Sequence, residues 1–153
     1  VEIFKSKIEF HDFSSGEILN PCNGVTLRTA PLDHPDGASG YRLEHEGRVF
    51  SLISDTEGYP GKRDKELLSL AQGADLIVYD STFTEDELAT RHGWGHSTWV
   101  RGVRLADEAR VKQLCLFHHD PSHDDNFMDN LAADANDARP GTITAREGQI
   151  IDL

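Results

Sequence analysis

Four short apolar runs in this sequence are each followed by a residue able to bind a metal or move a proton. Residues 25–30 lead to Asp33-His34-Pro35, and residues 48–54 lead to Asp55-Thr56-Glu57. Residues 76–79 lead to Asp80-Ser81-Thr82, and residues 114–117 lead to His118-His119-Asp120. Imidazole and carboxylate suit zinc, iron or manganese. In layered α/β folds the C-terminal edge of the strands is where sites are built. The spacing therefore predicts a site gathered from several strand ends. Each residue also has a plainer reading. Asp55 and Asp80 fit helix caps or turns, where the carboxylate bonds nearby backbone N–H groups, and His34-Pro35 fits an ordinary turn.

Two further segments carry chemistry. His118, His119 and His123 fall within six residues, with Asp120, Asp124 and Asp125 beside them. That density favours metal or acid–base work over solvated filler. His119 and His123 have i,i+4 spacing, so a local metal site on one helix face rivals the distributed one, although Pro121 stands between them. The second segment is Gly93-Trp94-Gly95-His96-Ser97-Thr98. Its glycines permit unusual backbone angles and close approach. His96 then sits at the mouth of a helix, where an imidazole suits a phosphate-like group. The alternative is a glycine-rich turn capped by Ser97 or Thr98, with His96 merely exposed. Trp94, Trp99 and Tyr59 suit either pocket lining or packing.

The elements that must position these residues are legible from periodicity. Residues 25–30 alternate as a strand ending before Pro31. Residues 40–45 and 48–54 read as a hairpin turning at Glu46-Gly47. Residues 62–72 have helical spacing, and Gly73 stops them. Residues 76–79 and 114–117 are short enough and apolar enough for buried strands. Residues 97–110 place Val100, Val103, Ala106 and Ala109 on one stripe. Residues 124–138 repeat the pattern through Phe127, Leu131, Ala135 and Ala138, starting with acids that suit a helix N-terminus. Residues 142–145 and 149–152 flank Glu147-Gly148 as an expected terminal hairpin. This order predicts a mixed α/β layered domain.

Composition bounds the reading. At 153 residues the chain is one domain, and 37% hydrophobic residues can build a core. A net charge of −12 disfavours a broad grip on phosphate backbones or an anionic membrane, so nucleic acid is an unexpected partner. Cys22 and Cys115 lie far apart, which indicates no disulfide framework and makes a reducing, cytoplasmic setting the expectation. The longest apolar runs are too short to span a bilayer.

Together these segments resemble the metallo-β-lactamase-fold hydrolases, in the phosphodiesterase branch of the transfer-RNA 3′-processing endonucleases. The order that carries the resemblance starts with His34 in a strand-end turn, Gly40-Tyr41-Arg42-Leu43 and Ser54-Asp55-Thr56. Asp80-Ser81-Thr82-Phe83, Gly95-His96-Ser97-Thr98 and Leu114-Cys115-Leu116-Phe117-His118 follow. The resemblance implies an αββα sandwich and a site for two divalent metals, zinc in the first place, with iron or manganese as alternatives. By motif match His34 binds one metal, Asp55 bridges both and His118 binds the second, with a metal-bound hydroxide as nucleophile. His96 stands at the scissile phosphate. Asp80 takes the place of the usual Glu and orients His96. His119 and His123 have no firm counterpart and are left as second-layer or substrate-facing groups.

One departure is large. The family hallmark His-x-His-x-Asp-His is absent, since the eight histidines at 11, 34, 45, 92, 96, 118, 119 and 123 nowhere have that spacing. Residues 1–153 are therefore expected to be the C-terminal half of one such domain. The other half, expected on another chain or in a missing segment, completes the metal site and covers an apolar face. A homo-oligomer is also expected. The expected function is hydrolysis of a small phosphodiester such as a cyclic nucleotide, with this fragment inactive alone. A non-hydrolytic di-iron sensor is the alternative.

Overall fold

The computed structural model describes residues 8–153, in which one seven-stranded sheet carries helices on one face. The chain begins with β1 (Ile18–Leu19), β2 (Val25–Leu32), β3 (Ala38–His45) and β4 (Arg48–Ile53), each antiparallel to its neighbour. The Glu46-Gly47 turn joins β3 to β4 with φ of +48° and +76°, the left-handed geometry that a two-residue hairpin needs. From β4 onward the pairing is parallel, through β5 (Leu76–Asp80), β6 (Gln113–Phe117) and β7 (Ile143–Thr144). The connecting helices are α1 (Asp64–Ala71), α2 (Glu85–Ala89), α3 (Trp99–Glu108) and α4 (Asp125–Ala138).

Sequence and structure agree on most of these elements, and the ends are set by local chemistry. Gly73, at φ +61°, follows the end of α1. The Thr98 hydroxyl accepts the Arg101 N–H to open α3, and Asp124 accepts the Phe127 N–H to open α4. Strand β2 runs on through Pro31 to Leu32, because it is covered on one side only by the two-residue β1. The expected C-terminal hairpin does not form. Residues 143–144 instead pair in parallel with Cys115 and Leu116, and residues 149–152 are not a strand. Helix α2 is an element that periodicity missed. It is too short for a stripe, but Thr84 and Glu87 form a capping box that marks its start.

Alternation divides the sheet into two faces. Ile53, Ile77, Tyr79, Leu114 and Leu116 point toward α1, α3 and α4 and build the core with Leu67, Leu70, Leu105 and Leu131. The other face carries Leu27, Tyr41, Leu43, Phe50, Leu52 and Val78, all only half-buried, and Phe117 is exposed. Strands β2, β4, β5 and β6 all run in the same direction. Their C-terminal ends therefore meet on one edge, and the four chemistry-bearing segments are delivered there.

Candidate metal and phosphodiester site

Asp80, the last residue of β5, is fully buried and anchors the site. Its Oδ1 accepts the Thr82 N–H at 3.1 Å, the Thr82 hydroxyl at 2.8 Å and the Ser97 N–H at 3.1 Å. Its Oδ2 accepts the Asp55 N–H at 3.0 Å, the Thr56 N–H at 3.3 Å and His96 Nδ1 at 3.1 Å. Donors crowding both oxygens require an ionised, acceptor-only carboxylate. They also tie the β4 loop, the β5 loop and the start of α3 to one point.

The hydrogen bond from His96 to Asp80, helped by the negative charges of Asp80 and Asp55, raises the His96 pKa above the usual histidine value against the opposing effect of burial. The His96 ring stands between two others. Its centroid lies 5.7 Å from that of His34 and 5.0 Å from that of His118.

His118 is fixed through Thr82. The Thr82 oxygen lies 2.9 Å from His118 Nδ1, 2.6 Å from the His118 carbonyl and 2.8 Å from Asp80 Oδ1. A hydroxyl has one proton, and two oxygens already compete for it. Toward the imidazole it accepts, so His118 donates from Nδ1, and the neutral ring then has its lone pair on Nε2. That Nε2 faces Asp55 Oδ1 at 3.4 Å. Two acceptors facing each other repel unless a cation or a proton lies between them, which is the donor chemistry of a metal site. Asp55 and His118 both hold left-handed backbone, at φ +59° and +61°. Such angles are uncommon for side-chain-bearing residues and collect at functional sites.

His34 joins from the β2 end. Among the described residues two groups bring ligand atoms within 4.8 Å of one another, His34–Asp55–His96 and Asp80–His96–His118. His34 Nδ1 accepts the Asp36 N–H at 3.2 Å, so ligation through Nε2 would need that bond released and the ring proton moved. Gly95 lets the His96 loop close over His34, because a Cβ there would lie 2.3 Å from His34 Cδ2. A cavity of about 360 Å³ opens beside His34 and Asp55, with Tyr41 and Leu52 in its wall.

His119 and His123 are not brought into either group, and neither lies on a helix. His119 turns to Ser81, 3.4 Å away, and burial lowers its pKa. His123 Nε2 meets Glu87 Oε1 at 3.1 Å, and its ring stacks on Phe127 at 3.9 Å. A local site built from His118, His119 and His123 is thus not formed. Thr82, quoted in its motif but given no role there, proves to link Asp80 to His118. Thr82 stands two positions after a strand-end Asp, where a hydroxyl reaches back to the carboxylate.

Comparison with known proteins places the chain in a family and a fold. Residues 5–119 match the Beta-lactamase superfamily domain model, and the chain belongs to that family. It is 33% identical over 153 residues to the Ribonuclease Z of Lactobacillus helveticus, an alignment that takes in 99% of this chain and 47% of that protein. The chain spans about half the length of the curated relatives it matches over its whole length. Among solved structures it is similar to the metallo-β-lactamase fold protein YhfI of Bacillus subtilis, with a TM-score of 0.73, 21% identity, and coverage of 90% of this chain and 53% of that one. It is also similar to Zn(2+)-bound PqqB of Methylobacterium extorquens, with a TM-score of 0.69, 16% identity, and coverage of 92% and 51%. These likenesses show the metallo-β-lactamase fold.

Proposed function

We propose that this chain supplies one side of a metal-dependent phosphodiesterase site whose substrate is a nucleic-acid phosphodiester. The observation that carries this reading is the facing pair His118 Nε2 and Asp55 Oδ1, with a carboxylate-backed His96 standing between His34 and His118. The residues present fit a divalent cation, because Nε2 of a neutral His118 and Asp55 Oδ1 converge as two acceptors 3.4 Å apart. His118 and Asp55 would hold metal, and His34 would join them after its tautomer change. The bound cations would supply charge for the phosphoryl oxygens and a nucleophile at neutral pH.

The rest of the work belongs to the chain. Asp80 holds His96 through Nδ1, which leaves Nε2 as the proton-bearing atom turned to substrate. There it can neutralise a phosphoryl oxygen or protonate a leaving oxygen. Thr82 sets the His118 tautomer, and Gly95 keeps His34 under the His96 loop. His34, Asp55 and His118 alone are too few donors for two metals, so the remaining ligands come from outside this chain.

The Ribonuclease Z relatives favour RNA, against the expectation that the net charge disfavours a nucleic-acid partner. A small phosphodiester, such as a cyclic nucleotide, is the second reading, and the −12 net charge favours it.

Elemental analysis of this chain together with the segment or partner that supplies the remaining ligands, paired with hydrolysis of a reporter phosphodiester and of RNA with added zinc, manganese or iron, tests the proposal. Bound metal with metal-dependent hydrolysis is the expected result. Metal without hydrolysis points to a sensor, and absence of both overturns the assignment.

A further inference from the structure

The loop ahead of His96 is clamped by one carboxylate. Glu57 Oε2 accepts the Gly93 N–H at 2.6 Å, and Glu57 Oε1 meets His92 Nδ1 at 3.1 Å. The Trp94 N–H closes the turn on the Arg91 carbonyl at 3.2 Å. Gly93 and Gly95 have φ of +84° and +87°, so the backbone turns outward and back around a single residue. That residue is Trp94, which is 59% exposed.

Its ring is nevertheless held. It meets Phe83 edge-on, with centroids 6.3 Å apart, and Phe83 meets His96 edge-on at 5.8 Å. The Arg91 guanidinium lies 4.9 Å over the same Phe83 ring. Trp94 is thus one aromatic ring removed from the imidazole assigned to the phosphate, and the Phe83 ring between them also carries the Arg91 guanidinium, which pairs with Glu87 at 3.9 Å. A single exposed aromatic is ordinary on a protein surface. The Phe83 contact fixes the indole in place and leaves more than half of it open to solvent, near the histidine assigned to the phosphate.

We propose that the exposed face of Trp94 is a stacking platform for a nucleobase attached to the phosphodiester that His96 engages, an inference that rests on the phosphodiesterase reading above. Every base presents a π-face, so such a platform accepts any sequence. Recognition of the base gives an acidic protein affinity that phosphate contacts alone do not supply.

The chain holds two tryptophans, so Trp99→Phe leaves Trp94 as the sole indole emitter. The metal-loaded protein carrying that change is titrated with AMP, ribose 5-phosphate, hexa-adenylate and an abasic hexamer of the same backbone. AMP and hexa-adenylate quench the emission, and the two base-free ligands do not. Adding Trp94→Ala weakens hexa-adenylate binding about tenfold, read by competition. Trp94→Phe recovers most of that loss, and neither change alters binding of the abasic hexamer. Tighter binding of hexa-adenylate than of AMP assigns the platform to an oligonucleotide, and equal binding assigns it to a mononucleotide.

The proposal is overturned if no base-bearing ligand quenches Trp94, or if Trp94→Ala binds hexa-adenylate as tightly as the parent. Emission that is already shielded before ligand is added also overturns it, since a protein surface then covers the ring. None of these readouts requires turnover. Failure of the phosphodiesterase reading shows separately, as absence of metal-dependent hydrolysis of a small reporter diester.

Discussion

Asp80 Oδ2 accepts the Nδ1–H of His96 at 3.1 Å from a position with no exposure to solvent. The same carboxylate takes backbone N–H groups from Asp55, Thr56, Thr82 and Ser97. One buried charge therefore orients the proposed proton donor and fixes the loops that carry a proposed metal ligand. A buried charge is tolerable only when so fully bonded, and removing its partners would cost several kcal/mol.

His96→Ala in the metal-loaded, hydrolysing protein should lower turnover about tenfold or more while metal content stays the same. Steady-state kinetics beside elemental analysis checks this. Loss of metal would instead make His96 a ligand, and unchanged turnover would remove it from the chemistry.

The Asp80–His96 contact predicts a pH dependence with a definite sign. The hydrogen bond from His96 to Asp80, with the charges of Asp80 and Asp55, raises the His96 pKa, and burial opposes it. The imidazolium is thus retained to higher pH than for an ordinary histidine. A proton donor works below its pKa, so turnover is lost as pH rises through the His96 value. Asp80→Asn removes the charge that raised it and moves this alkaline limb to lower pH, in the folded fraction of the variant. A limb that stays in place in the pH–rate profile would detach Asp80 from that role.

Thr82→Val keeps the shape of the side chain and deletes the oxygen 2.9 Å from His118 Nδ1. His118 then loses the group that sets its tautomer. Metal affinity should fall about 10- to 100-fold, as measured with a chelator in competition. Unaltered affinity would mean that His118 ligates without help from Thr82, or does not ligate.

Asp75 offers a test of stability away from the site. Its carboxylate accepts Lys112 Nζ and the Val49 N–H, both at 2.7 Å, just before β5 begins. Lys112 foremost, then the Val49 N–H, lowers its pKa against the effect of burial. A depressed carboxylate pKa means stability that is present above the ordinary aspartate value of about 3.9 and lost as pH falls through the folded value. Asp75→Asn should cost about 1 kcal/mol or more near neutrality. Urea melts should show the gap from the parent narrowing in acid, and a gap independent of pH would count against the linkage.

Much of the site was legible because strand-end placement is a one-dimensional property. An apolar run followed by His or Asp marks His34, Asp55, Asp80 and His118, and two glycines mark the His96 loop. The C-terminal hairpin was misread because a strand pattern does not name its partner. Residues 143–144 find the open edge of β6, a choice made by residues some thirty positions earlier in the chain. The i,i+4 spacing of His119 and His123 suggested a shared helix face, but α4 starts only at Asp125, and tertiary packing sends the two rings to Ser81 and Glu87.

The sequence by itself determined the periodicities, the caps and the order in which ligand-type residues leave the strands, because each depends on neighbours along the chain. Only the tertiary structure decided that β2, β4, β5 and β6 end on one edge. It alone decided that Asp80 would be buried under donors from several loops, and that His118 Nε2 would face Asp55. Those are distances between residues far apart in the chain, set by how the sheet pairs and how the helices cover its one face. Spacing along a sequence carries no record of them.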